Sequence, residues 1–329
     1  MRPIVRVLLG LAACGNDLPP PGTCEVATNG KVPEVVSVPL AGRVTGYDDL
    51  RYSPELGKVL AVPEGDGLLY LIDPDTLAVT TIAIPRTSES ADATATSIYV
   101  LDRSADQILA FDATSLARTA SQVTTGNPDY VRAAPTAPEV WITIPSRNRI
   151  EILDARTLAP LDNVEVPGAP EGLTFDTAGL AYTQAGGRMI QIDVARRVVI
   201  GEWDTGCGSS HGFPQVDEDY GLAIAGCSNS GGIGVTTTSG EKRAGFEAGG
   251  SSAILAHDGM KHHLFVRGDP GSTLDILAVC SDGGTSVLAS VQITSNGHGA
   301  TVDDRGHAWI CDSTTGSVLR ITDPFPATN

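Results

Sequence analysis

Three carboxylates and two imidazoles recur in this chain at steps close to one or two multiples of forty residues: Asp48, Asp129, Glu171, His211 and His298. Ser252 belongs to the same series, and Ser88 or Ser90 fills the gap between Asp48 and Asp129. Imidazole with carboxylate suits a divalent ion such as zinc or manganese. His211, His298, Asp129 and Glu171 would be the ligand set. The same groups could hold a cationic or polyhydroxylated ligand, or supply a general base. Carboxylates crowded at one point would raise one another's pKa. The plainer alternative is a hydrated polar ring without a ligand, and both readings stay open at this point.

The other candidate groups point to less. His257, His262 and His263 fall in a turn and the strand after it. In an extended chain His262 and His263 face opposite ways, so they make poor joint ligands. His307 stands before a strand and reads as a surface residue. The sequence has no HExxH, no CxxC and no convincing nucleophile elbow. Gly231-Gly232-Ile233-Gly234 leads into a strand rather than a helix, which argues against a phosphate cradle. Asp303-Asp304-Arg305-Gly306 and Asp73-Pro74-Asp75 lack the twelve-residue calcium-loop pattern and read as turns. The lack of CxxCH counts against a covalent haem and a redox role built on one.

What must position the recurring groups is a repeat. An apolar alternation, then Asp, then a turn appears at Tyr70–Asp73, Leu109–Asp112, Glu151–Asp154 and Ile190–Asp193. Weaker copies end at Thr236, Cys280 and Thr322, and the steps between copies run from 39 to 44 residues. A second strand precedes each copy, as in Lys58–Val62, Ser97–Leu101, Val140–Ile144 and His307–Cys311. A more polar strand follows, as in Val79–Ile84. Short strands at this density, with 37 Gly and 21 Pro among 329 residues, predict about four strands per repeat and seven repeats. The fold class expected is all-β: a seven-bladed β-propeller of four-stranded antiparallel blades. The last copy lacks its outermost strand. Val35–Leu40 has the alternation to supply it, so the ring should close through the N-terminal strand. The propeller is placed at residues 35–325, with 326–329 as a tail.

The copies resemble the repeats of the YVTN family of bacterial and archaeal seven-bladed propellers. Residues 297–322, GHGATVDDRGHAWICDSTTGSVLRIT, are also similar to repeats of NHL, SMP-30/gluconolactonase-like and virginiamycin B lyase-like propellers. Repeats of this kind often begin the inner strand with His-Gly or Asp-Gly near the central axis. The resemblance therefore implies that Asp48, Asp129, Glu171, His211, Ser252 and His298 converge at one mouth of the channel. It implies no catalytic set, because these families mix enzymes with binding scaffolds.

Met1–Arg6 carries two positive charges, Val7–Ala13 is apolar and Cys14 follows. This is the plan of a secretory signal peptide over residues 1–13. Leu11-Ala12-Ala13-Cys14 is similar to the lipobox of bacterial lipoproteins, which implies a lipid on Cys14. Gly15, where inner-membrane retention favours Asp, points to the outer membrane. Residues 14–34 read as the lipidated cysteine and a tether. No other stretch is long and apolar enough to span a bilayer. An exported protein meets an oxidising compartment. Two disulfides are expected, Cys207–Cys227 within one blade and Cys280–Cys311 between neighbours, leaving Cys24 free or paired to a partner. The formal charge of −17 argues against nucleic acid and against an anionic membrane surface as the main partner. The function expected is a monomeric, envelope-anchored binding module for a protein or glycan, with no cofactor required. The alternative is a lyase or lactonase with one divalent metal ion at the channel mouth.

Overall fold

The computed structural model describes residues 24–42, 46–228, 231–247, 252–294 and 297–328. The signal peptide and Cys14 lie outside them. Seven four-stranded antiparallel sheets form a seven-bladed propeller, and no described residue is in an α-helix. The inner strands are Tyr47–Ser53, Ser88–Ala93, Val131–Ala133, Leu173–Phe175, Gln215–Asp217, Ser252–Asp258 and Ala300–Val302, for blades one to seven in chain order.

The recurring Asp is a turn clamp. Its carboxylate accepts backbone N–H bonds two and three residues on, as Asp73 does from Asp75 (3.1 Å) and Thr76 (2.8 Å). Asp112 and Asp154 repeat this with Thr114 and Ser115, and with Arg156 and Thr157. The fifth residue of each turn then takes a left-handed backbone: Leu77 at φ 59°, Leu116 at 59°, Leu158 at 57°, Arg197 at 55°. Its N–H returns to the Asp carbonyl at 2.8–2.9 Å. One Asp side chain thus stabilises a five-residue hairpin that would otherwise want glycine.

The core lies between blades. Each of the seven blade–blade interfaces holds its own apolar cluster. The ring closes as expected. Glu34–Pro39 pairs antiparallel with Ser317–Thr322 as the outer strand of blade seven, with Glu34 opposite Thr322 and Pro39 opposite Ser317. Val38 and Leu40 join Trp309, Val318 and Tyr47 in the cluster between blades seven and one.

The cysteines differ from expectation. Cys207 is joined to Cys227, but Cys280 is joined to Cys24, and Cys311 is a buried free thiol. Cys280–Cys311 fails for a geometric reason. Cys311 lies near the mouth end of its strand and faces the cluster between blades seven and one. Cys280 begins the outer turn of blade six, at the opposite end of the propeller. Cys24 is therefore not left over, and it clasps the N-terminal segment to blade six. Cys207–Cys227 sits in the thinnest cluster, where Tyr182, Met189, Ala223 and Ala225 are the other buried members.

Candidate functional site

Each inner strand descends from the same mouth, so residues at its start face the axis. Asp48 lies in the inner strand of blade one, and Asp129, Glu171, His211 and His298 lie two to four residues ahead of theirs. The structure brings all five together. His298 Nε2 is 2.6 Å from Asp269 Oδ2, and its Nδ1 is 3.4 Å from Asp48 Oδ1 and 3.4 Å from His211 Nε2. The imidazoles meet edge to face at 4.7 Å, and His211 Nδ1 is 3.5 Å from Glu171 Oε2. Ser252 pairs in strand register with Asp269.

Three members were not expected. Arg103, in the turn after the second strand of blade two, reaches Asp48 at 3.2 Å and also pairs with Asp129 and Glu89. Glu89 takes the blade-two place that Ser88 or Ser90 was expected to hold. A bulge between Ser88 and Ser90 turns Glu89 toward the axis, and both serines are buried. Ser90 Oγ donates instead to Asp49 Oδ2 at 2.6 Å. Asp269 comes from the end of a second strand, where repeat spacing carries no signal. Only the bulge at Tyr47/Asp49, which blade one shares with blade two, hints at Glu89.

Charge inside this ring is partly compensated. Hydrogen bonds that His298 donates to Asp269 and then to Asp48 outweigh burial and raise it to about 10, so it is cationic at neutral pH. Burial would raise Asp48, but His298 and Arg103 hold it below the usual carboxylate range. The His298 bond likewise lowers Asp269. Burial, with Asp48 alongside, raises Glu89 to about 7 against the pull of Arg103. Five carboxylates thus face two fixed cations. Among the described residues no group of three or more His, Cys, Asp or Glu is arranged to hold a metal ion. Of the expected set of His211, His298, Asp129 and Glu171, Asp129 pairs with Arg103, and His298 lies between Asp269 and Asp48.

Below the ring, Tyr130 Oη is 3.4 Å from Asp48 Oδ1, and its ring meets Phe213 edge-on at 4.5 Å. A Cβ on Gly172 would strike the Phe213 ring, so the close approach needs glycine there. Arg132 lies over the Phe213 ring, 4.1 Å from its centroid. It grips Asp49 with two bonds of 2.8 Å, and both side chains are buried. The remaining histidines are structural. His257 and His262 share the Asp217 carboxylate at 3.1 and 2.8 Å, His263 bonds Asp323 at 2.6 Å, and His307 bonds Asp303 at 3.0 Å.

No protein-family model matches the chain, and no curated protein does. Solved structures do match, and they show the fold. A chain of the mitotic checkpoint complex aligns with a TM-score of 0.74 at 13% identity, over 97% of this chain and 98% of that one. The RRP9 WD40 repeats align at 0.71 and 11%, over 89% and 100%. Streptogramin B lyase aligns at 0.71 and 14%, over 88% and 97%. The propeller scaffold is thus similar both to WD40 repeats and to a lyase. Two disulfides fit an oxidising, exported location. No helix among the described residues is long and apolar enough to cross a membrane.

Proposed function

We propose that this chain is an exported binding module that receives a basic protein segment at its acidic mouth. The observation that carries the reading is the Arg103 and His298 lattice. It fixes Asp48, Glu89, Asp129 and Asp269 around one opening, where Glu171 faces His211, with fewer cations than carboxylates. Held by neighbours from several blades, these side chains lose little further freedom on binding, and fixed charge of one sign steers and selects a partner of the other. The reading extends to a lipid on Cys14. The Cys24–Cys280 bond pins the N-terminal segment to the face opposite the mouth. Ten residues of chain span at most about 33–36 Å. A lipid on Cys14 would keep that face near the bilayer and turn the mouth outward.

The test is titration with an oligolysine peptide and, separately, with neutral oligosaccharides. Saturable peptide binding that weakens with salt, and at least about tenfold in Asp129→Asn/Glu171→Gln, supports the reading. Binding of the oligosaccharide alone would replace it with the glycan reading, and binding of neither would end both. A second reading is a lyase or lactonase working with a divalent ion, favoured by the two imidazole nitrogens 3.4 Å apart. Zinc or manganese would have to displace the His298 proton and open the lattice. Native mass spectrometry with and without chelator decides it: stoichiometric metal, lost in His211→Ala and His298→Ala, is required.

A further inference from the structure

The channel holds a second chamber below Phe213, with a chemistry opposite to that of the mouth. It has a volume of about 110 Å³ and draws on six of the seven blades. Its polar lining is Arg51, Arg132, Thr174, Gln215, His257 and Thr301, and no carboxylate lines it. We propose that this chamber binds a small oxyanion, a carboxylate or phosphate, clamped by the Arg51 guanidinium.

The two arginines differ in what they have left to give. Arg132 spends its Nη1 and Nη2 on Asp49 and the Val131 carbonyl. Arg51 has only Nε at 3.4 Å from Asp92 Oδ1, and its Nη groups have no hydrogen-bonded partner among the described residues. Asp92 does not depend on Arg51 either. Its two oxygens accept the backbone N–H of Ala93 at 2.8 Å and of Ala133 at 3.0 Å. The Arg51 fork is thus available for bidentate contact with a planar or tetrahedral oxyanion. Thr301 adds a donor: its Oγ1 accepts the Tyr52 N–H at 3.1 Å, which leaves its hydroxyl hydrogen to point elsewhere. Arg51 also lines a cleft of about 220 Å³, with Pro54, Glu55, Ala134 and Phe175, beside the loops at the far ends of the inner strands. That cleft also carries the carboxylates of Glu55, Asp92 and Asp176, and Arg51 is the cation in its lining.

Calorimetric titration of the full chain in oxidising buffer with phosphate, acetate and succinate tests this. The proposal expects saturable binding of at least one of them at millimolar concentration. It expects about a tenfold to hundredfold loss in Arg51→Gln, the loss of a charge-assisted fork. Arg51→Lys, which keeps the charge without the fork, should fall between. Phosphate binding alone assigns a tetrahedral ligand, and acetate or succinate binding alone a carboxylate. If Arg51→Gln unfolds, Thr301→Val supplies the comparison and should weaken binding severalfold. Binding of none of the three, or equal affinity in wild type and in the folded variants, overturns the proposal.

Discussion

His298 donates from Nε2 to Asp269 Oδ2 across 2.6 Å, which ties the loop entering blade seven to the second strand of blade six. Its other nitrogen faces Asp48 of blade one, so a single imidazolium spans the point where the ring closes. The folded protein raises this group from 6.5 to about 10. A raised pKa contributes stability that is complete below the unfolded value and lost as pH rises through the folded one. Thermal stability should therefore decline between about 6.5 and about 10. His298→Gln should cost about 1–2 kcal/mol at neutral pH, a figure discounted because the side chain is one-third exposed, and should flatten the decline. Melting curves across that window check it. A wild-type profile no steeper than that of the variant would show that His298 carries no extra proton.

Arg132 and Asp49 form the most deeply buried ion pair at the axis, 3% and 1% exposed. Removing one partner strands the other charge. Asp49→Ala should destabilise by about 3–5 kcal/mol, whereas replacing both residues by apolar ones of similar size should cost far less. Chemical denaturation of the two variants gives the comparison. Equal losses would mean that the pair itself, rather than the stranded charge, sets the cost.

The architecture was legible because the repeat is written in local chemistry. The Asp at 73, 112, 154 and 193 ends or directly follows a strand and clamps the turn after it, so its spacing counts blades. Val35–Leu40 was legible as the closing strand because the seventh copy ran out of chain. Three members of the mouth were hidden for equally physical reasons. Glu89 reaches the axis through a bulge that shifts register by one residue, so alignment lands on the flanking serines. Arg103 and Asp269 come from second-strand ends, where no periodicity marks an inward side chain. The Cys24–Cys280 bond links positions 256 residues apart in sequence, and nothing local couples them.

The three fates of the cysteines can be read by chemistry. Non-reducing peptide maps should contain Cys24–Cys280 and Cys207–Cys227, with Cys311 as the one free thiol among the described residues. Burial pushes the Cys311 thiol well above its usual range, so it should resist alkylation until denaturant is added. Cys24→Ser should cost about 2–5 kcal/mol by releasing a very long loop closure. Fast labelling of Cys311 in the native protein, or a map pairing it with Cys280, would contradict this arrangement.

Arg103 separates the structural from the recognition role of the mouth. Its guanidinium pairs with Asp48, Glu89 and Asp129, from three consecutive blades. Arg103→Gln removes the cation these carboxylates share. Stability should fall by about 1–3 kcal/mol, because partly buried carboxylates are left facing one another. Glu89 should titrate higher still, since Arg103 is what now holds it down to about 7. Affinity for a basic peptide should nonetheless rise, because the mouth loses a positive charge that competes with the ligand. A drop in stability coupled to tighter, more salt-sensitive peptide binding is the expected signature. If the variant is destabilised but binds the peptide more weakly, the lattice is needed to shape the site as well as to charge it. Peptide recognition would then depend on the spacing that Arg103 imposes on Asp48 and Asp129.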